Sequence, residues 1–320
     1  MVPSVQFSDF LRSLIAKNAK CSRKKSIDKD QFVVSQYERD TLEGFWMNLS
    51  FVKIRAELKP YIQSFWVFES PIGMPASETN MAAPNGCPKL IIPIENSITS
   101  NADGRVQESR EQGLYFVGNR DSSTVLKTSP RNTCFIGIEF FPHGAYPIFG
   151  LPMDETMNRL QPADVVFAKW GRDVRERLHN QTSLHEKIDC IQDHLIRRLR
   201  GRQFRSPIVE HCVKSLKSRE GLVSIRELER ETGYSRRYLE ILFKKHVGLS
   251  PKVLAGIFRF QRFYRKWAEQ RPFDELKEEL YDYYYDQAHF TREFKRMTNF
   301  SPEHFTSAVS NEFGRRLSLG

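Results

Sequence analysis

Two hydrophobic periods divide the chain. Between residues 41 and 141 apolar residues fall in short runs rich in Ile, Val, Phe and Tyr: Tyr61–Glu69, Lys89–Glu95, Leu114–Gly118 and Cys134–Phe141. Turn formers separate them at Pro71-Ile72-Gly73, Pro84-Asn85-Gly86, Asp103-Gly104 and Ser129-Pro130. Short strands punctuated in this way predict a small sandwich or barrel. After Phe141-Pro142 the period becomes helical. Leu184, Ile188, Ile191, Leu195 and Leu199 make one apolar stripe on a helix whose other faces carry Glu186, Lys187, Asp193 and Arg197. Such a stripe either packs on its own domain or forms a dimer seam, in which case residues 170–200 carry self-association. Gly201 to Pro207 reads as a short basic linker. From Ile208 nearly everything is helical. Pro251, Pro272 and Pro302 stand near helix starts, with Ser250 and Ser301 as N-caps before two of them.

The helical part contains a repeat. Tyr238-Leu239-Glu240-Ile241-Leu242-Phe243-Lys244-Lys245 is followed, after a short turn, by Ser250-Pro251. In the same register, 51 residues on, His289-Phe290-Thr291-Arg292-Glu293-Phe294-Lys295-Arg296 is followed by Ser301-Pro302. In the first copy Ile225, Leu228 and the turn Thr232-Gly233-Tyr234 lead to Ser235, an N-cap for a helix over Arg236–His246. Helix, Gly-containing turn and helix make a helix-turn-helix.

At about 100° per residue the two faces of each copy can be assigned. Leu239, Leu242 and Phe243 point inward, while Arg237, Ile241 and Lys244 share an outer stripe with Glu240 at its edge. In the second copy Phe290, Phe294 and Met297 point inward. Ala288, Arg292 and Lys295 form the outer stripe, with Thr291 at its edge and Gln287 beside it. A short helix with Arg, Lys and Gln on its free face fits the major groove, where Arg reads guanine and Gln reads adenine. Lys and Arg are also the usual residues of a solvated face, and the repetition in register favours recognition. The segment Pro251–Gln270 predicts a connecting helix of about 30 Å, close to the roughly 34 Å between successive groove faces. Its Arg259, Arg262, Arg265 and Lys266 are available for phosphates or for packing ion pairs.

The chain has 320 residues, which predicts two domains. Its net charge of +10 is unevenly spread. Residues 1–30 hold seven Lys/Arg and three Asp/Glu, residues 31–204 twenty of each, and residues 205–320 twenty-two and sixteen. A neutral middle beside a basic end suits a sensing or scaffold domain joined to a polyanion binder. The polar start, with Arg23-Lys24-Lys25, reads as a mobile tail with one short helix around Phe7–Ala16, either solvated or a nucleic-acid arm. The longest apolar runs are far too short to cross a bilayer. Five cysteines with no C-x-x-C pair argue against a disulfide framework and a Cys-rich zinc site, so a cytoplasmic location is expected.

The stretch Ser224–Phe305 resembles the DNA-binding domain of the AraC/XylS family of bacterial transcription regulators. The residues that carry the resemblance are Gly233-Tyr234-Ser235, Tyr238-Leu239, Phe243-Lys244, Gly248, Ser250-Pro251, Arg259, Tyr284-Tyr285-Asp286-Gln287-Ala288-His289-Phe290, Arg292, Phe294-Lys295 and Ser301-Pro302. Residues Pro60 to Leu160 are more weakly similar to the N-terminal domain of some members, through Tyr61…Trp66, Pro84-Asn85-Gly86 and Phe141-Pro142-His143-Gly144-Ala145. The resemblance implies sequence-specific binding of double-stranded DNA by two helix-turn-helix units. It further implies a β-rich domain for effector sensing or dimerisation, and RNA polymerase as a partner. Some positions depart from the family pattern. Glu229 stands where a small residue is usual, Ile241 where a polar or basic one is common, Tyr283 in place of the second turn Gly, Glu278-Glu279 in place of an apolar pair, and Asn299 in place of another Gly.

The expected fold is therefore α+β. A basic tail over 1–35 precedes a β-rich, barrel-like or sandwich domain over 36–204 that ends in helices. An all-α domain over 205–320 follows, with two helix-turn-helix units. The DNA-binding set is Ser235, Arg236, Arg237, Glu240, Ile241, Lys244, Arg259, Arg262, Gln287, Ala288, His289, Arg292 and Lys295. No catalytic constellation, phosphate loop or cofactor motif occurs, and His143, His179, His185, His194 and His211 lack metal-ligand spacing. The leading reading is a transcription regulator, acting as a homodimer or alone and answering to a small-molecule effector. The alternatives are an architectural DNA binder without effector, or a β-domain interaction protein or enzyme.

Overall fold

The computed structural model describes residues 32–33, 47–76, 79–200, 204–269, 276, 284, 286–302 and 304–305. The helix expected around Phe7–Ala16 and the first helix of the second unit, with Glu278-Glu279 and Tyr283, lie outside the described residues.

Eleven strands are described: β1 (Phe32–Val33), β2 (Asn48–Val52), β3 (Ile62–Ser70), β4 (Met81–Ala82), β5 (Lys89–Glu95), β6 (Ile98–Ala102), β7 (Arg105–Ser109), β8 (Tyr115–Val117), β9 (Thr124–Thr128), β10 (Thr133–Phe140) and β11 (Leu160–Pro162). They form a seven-stranded sheet in the order β1-β2-β3-β10-β5-β8-β11 and a four-stranded sheet in the order β4-β9-β6-β7. Every pairing is antiparallel. Two details differ from the sequence expectation. Phe32–Val33 pairs with Val52 and Phe51, so the sheet begins inside the expected tail. A strand, β11, also returns within the segment expected to be helical.

Period-two alternation places the cores. From β3, Phe65 and Val67 enter one core with Leu90, Ile92, Ile136 and Ile138. Trp66 and Phe68 face the other way, with Phe135 and Ile98. The large sheet is thus a middle layer, buried on both faces, and β10 is buried along its whole length. Gly137 makes this possible, because it lies opposite Trp66 and a Cβ there would sit 2.1 Å from the indole. Pro93 interrupts β5 opposite Phe135, where the ladder shifts register.

Helices cover the outer face of the large sheet: α1 (Ala145–Phe149), α2 (Ala163–Phe167), α3 (Lys169–His179) and α4 (Leu184–Leu199). The stripe of α4 faces its own domain, with Ile188, Ile191 and Leu195 fully buried in the first core. This overturns the dimer-seam reading of the stripe. The capping box Ser183/Glu186 fixes the start of α4.

The remaining helices are α5 (Pro207–Ser218), α6 (Ile225–Thr232), α7 (Arg236–Val247), α8 (Pro251–Ala268) and α9 (Gln287–Thr298). They enclose a separate core that includes Leu228, Leu239, Phe243, Leu254, Phe263 and Phe294. One β-domain residue, Met81, belongs to that core. Among the described residues, no helix is long and apolar enough to cross a membrane.

Candidate nucleic-acid interface

The first unit is assembled by local hydrogen bonds. Ser224 and Glu227 form a capping box that starts α6, and Gly233 ends it in the left-handed region at φ 74°. Ser235 then accepts from the Tyr238 N–H and starts α7. Glu229, unusual in the resemblance, has a local use. Its carboxylate accepts from the Arg236 N–H at 2.6 Å, so α6 holds the positive end of α7. Leu239, Phe243, His246 and Val247 are buried, and Gly248 closes the helix at φ 82°.

The opposite face is open. Ser235, Arg236, Arg237, Lys244 and Lys245 are exposed, as are Tyr238 at 42% and Ile241 at 55%. Arg236 pairs with Glu240 at 2.9 Å, one turn along. Among the described residues no ion pair holds Arg237 or Lys244. Tyr234 and Tyr238 stack beside them with centroids 5.0 Å apart.

The second unit repeats the plan. Asp286 takes the place of Ser235 and accepts from the His289 N–H at 2.6 Å. Phe290, Phe294 and Met297 are buried, and Asn299 ends α9 at φ 65°, where Gly248 stands in the first copy. Gln287, Ala288, Arg292 and Lys295 are exposed. His289 is half-buried and edge-on to Tyr284 at 5.5 Å. The 51-residue offset of Asp286 from Ser235 is the sequence signal for this capping role.

Arg259 and Arg262, expected to serve phosphates or packing ion pairs, make internal pairs in the structure. Arg259 donates to the Gly221 carbonyl at 2.8 Å, lies 3.7 Å from Glu293 and covers the Tyr284 ring at 5.6 Å. Its side chain is 19% exposed. Gly221 precedes α6 and Glu293 lies on α9, so this guanidinium ties both units to α8. Arg262 pairs with Glu220, which Arg265 also approaches at 3.5 Å. The internal partners meet part of the hydrogen-bonding demand of these half-buried guanidinium groups. The connecting helix has 18 residues, ending at Ala268 rather than Gln270.

A second feature lies in the β domain. A cavity of about 100 Å³ opens between the sheets, lined among others by Trp66, Gly86, Cys87, Arg120, Ser122 and Thr124. Trp66 Nε1, Arg120 Nε and Thr124 Oγ1 are buried without a hydrogen-bond partner in the structure. Burial lowers the Arg120 pKa and pushes the Cys87 thiol up to about 12. Cys87 is buried, and its thiolate is disfavoured there.

Two wall segments of this cavity also touch the helical core. Gln261 on α8 donates to the Pro84 carbonyl at 2.6 Å, and Gly86 packs on Leu254 so closely that a Cβ would lie 2.6 Å from it. Asn119 donates to the Val247 carbonyl at the end of α7, at 2.6 Å. Asn299, at the end of α9, donates to Ser123 at 3.2 Å. His246 packs on Tyr146 of α1 at 4.2 Å.

Residues 228–308 match the family described as "Helix-turn-helix domain". Residues 53–162 match one described as "Domain of unknown function (DUF6597)". No curated protein matches the chain. Among solved structures, an apo variant of ToxT from Vibrio cholerae is 9% identical over 85% of this chain and 100% of that one, with a TM-score of 0.40. The AraC-like transcriptional activator CuxR is 16% identical over 72% and 85%, with a TM-score of 0.28. A cupin domain of an XRE-family transcriptional regulator from Enterobacter cloacae is 12% identical over 29% and 94%, with a TM-score of 0.24. Identities and scores this low leave function to this chain's own residues and to the domain match. Residues 228–308 thus form a helix-turn-helix domain of the AraC type, which supports a DNA-binding transcription regulator.

Proposed function

We propose that the chain is a sequence-specific regulator that lays α7 and α9 in successive major grooves of double-stranded DNA. The observation that carries this is the duplication in register. Two helices share N-cap, buried and left-handed C-cap positions, and each leaves an Arg and a Lys free on its outer face. The 18 residues of α8 span about 27 Å, a fitting separator for grooves about 34 Å apart. Arg237 and Arg292 suit guanine, and Gln287 suits adenine. One chain presents both helices, so the reading requires no homodimer. It includes a cytoplasmic location, on the cysteine usage, and RNA polymerase as a partner, on the family resemblance alone.

The β domain supports an effector-sensing role. The segments 84–87 and 118–124 line its cavity and also hold α8 and the C-terminal ends of α7 and α9. A small molecule in the cavity would shift the recognition helices only by binding their held and released positions differently. The cavity is mostly apolar but carries three unpartnered polar atoms, so its occupant has a compact apolar body with hydrogen-bonding groups.

Selection from random duplexes tests the DNA reading. The expected result is a bipartite site, bound thousands of times more tightly than random duplex at physiological salt. A ratio near one would overturn sequence reading and favour an architectural binder, and no DNA binding at all would favour an interaction protein or enzyme.

A further inference from the structure

On the outer stripe of α7, between Arg237 and Lys244, stands Ile241, 55% exposed. It belongs to none of the three hydrophobic cores. Residues 237, 241 and 244 lie within about 60° of one another around the helix. The stripe is thus cation, branched apolar side chain, cation. A β-branched side chain on a helix has essentially one χ1 rotamer, so Ile241 offers a fixed apolar knob at little entropic cost. Its neighbours decide what can cover it. Two unpaired cations flank it, which suits a polyanion and opposes a basic partner. Within the major groove, phosphates, sugars and base edges are polar, and the thymine C5-methyl is the apolar group on display.

We infer that Ile241 reads a thymine methyl in the half-site of the first unit. The inference rests on the DNA-reading proposal and adds a base to it. Ile241 lies four residues from Arg237, about 6 Å along the helix, or roughly two base-pair steps. The thymine therefore stands within two base pairs of the guanine that faces Arg237. The second unit has Arg292 at the place of Ile241 in the 51-residue register, so it makes no equivalent methyl contact. The two half-sites differ for this reason, and the protein has a defined direction on its operator.

The test uses the full chain and the duplex it selects. Each thymine of the first half-site is replaced in turn by deoxyuridine, which removes only the methyl. Losing one buried carbon at about 0.8 kcal/mol corresponds to a weakening of about four-fold at one position. Ile241→Ala should bind the unmodified duplex less tightly and treat thymine and deoxyuridine alike at that position. Ile241→Gln, reselected, should lose the thymine and keep the nearby guanine. Exposure at this position leaves folding unaffected, and an unchanged thermal melt verifies that. If no thymine in the half-site responds to deoxyuridine, or if Ile241→Ala keeps the full penalty, the inference is wrong while sequence-specific binding stands. If Ile241→Ala leaves affinity and base preference untouched, the side chain serves another partner and the inference is likewise overturned. If no duplex is selected, the DNA-reading proposal fails first.

Discussion

Replacing Arg259 with methionine separates a phosphate contact from an internal tie. The guanidinium donates to the Gly221 carbonyl at 2.8 Å and lies 3.7 Å from Glu293. A hydrogen bond from a charged donor contributes about 1.5–3 kcal/mol, and leaving Glu293 short of a partner costs about 1–3 kcal/mol more. Arg296, 3.1 Å from the same carboxylate, offsets part of that. Methionine retains the apolar stem, so packing losses are small. The expected destabilisation of the helical region is about 2–4 kcal/mol. For a region of roughly 100 residues this lowers Tm by on the order of 10–20 °C. The assay is a thermal melt by circular dichroism, followed by DNA titrations from 50 to 200 mM salt well below the melt. A phosphate contact would reduce the slope of log affinity against log salt by about 0.9. The structure predicts a lower Tm with the slope unchanged. An unchanged Tm with a slope reduced by about 0.9 would refute the internal role.

Gly137→Ala should unfold the β domain or lower its stability by more than about 3 kcal/mol, because the added Cβ meets the Trp66 ring at 2.1 Å in the middle layer. Expression as a soluble, cooperatively melting protein would contradict it. Burial, aided by Lys245 and His143 and opposed by Glu210, lowers the His246 pKa from 6.5 to about 4. The neutral imidazole is the folded form, so its contribution is fully present above pH 6.5 and is lost as pH falls towards 4. The unfolded chain binds the proton first, and the loss over that window is about 3 kcal/mol. His246→Phe should flatten this part of the stability profile in denaturant titrations. A profile as steep as that of the wild type would assign the acid sensitivity elsewhere.

Much of the architecture is legible in the sequence because it is local. The strand Lys89–Glu95 and the helix Leu184–Leu199 have the bounds their periodicity predicts, and Ser235 and Ser250 cap the helices they precede. What periodicity cannot supply is the partner. The α4 stripe is apolar whether it meets another chain or its own sheet, and only the fold shows Ile188 and Leu195 inside. Arg259 has the same composition signal as a surface arginine. Its partners, Gly221 and Glu293, come from 38 residues before and 34 after, beyond any local pattern. Short strands such as Met81–Ala82 and Leu160–Pro162 hold too few residues to show alternation. The interlock of Asn119 with Val247 and of Asn299 with Ser123 joins segments more than 100 residues apart.

In the proposed function two helices of one chain read two grooves, unequally. Residues 221–266 hold eleven Lys/Arg against four Asp/Glu, whereas residues 267–309 hold five against nine. On the proposed reading, attraction to the polyanion should come mainly from the first unit, and the second should add base contacts worth about 1–3 kcal/mol each. The most direct test measures base preference and affinity of Arg237→Ala and Arg292→Ala on one selected duplex at fixed salt. Arg237→Ala should relax base preference in one half of the site. Arg292→Ala should relax preference in the other half, about ten base pairs away, with a smaller loss of affinity. Relaxation at the same base pairs by both, or the larger loss from Arg292→Ala, would contradict that reading.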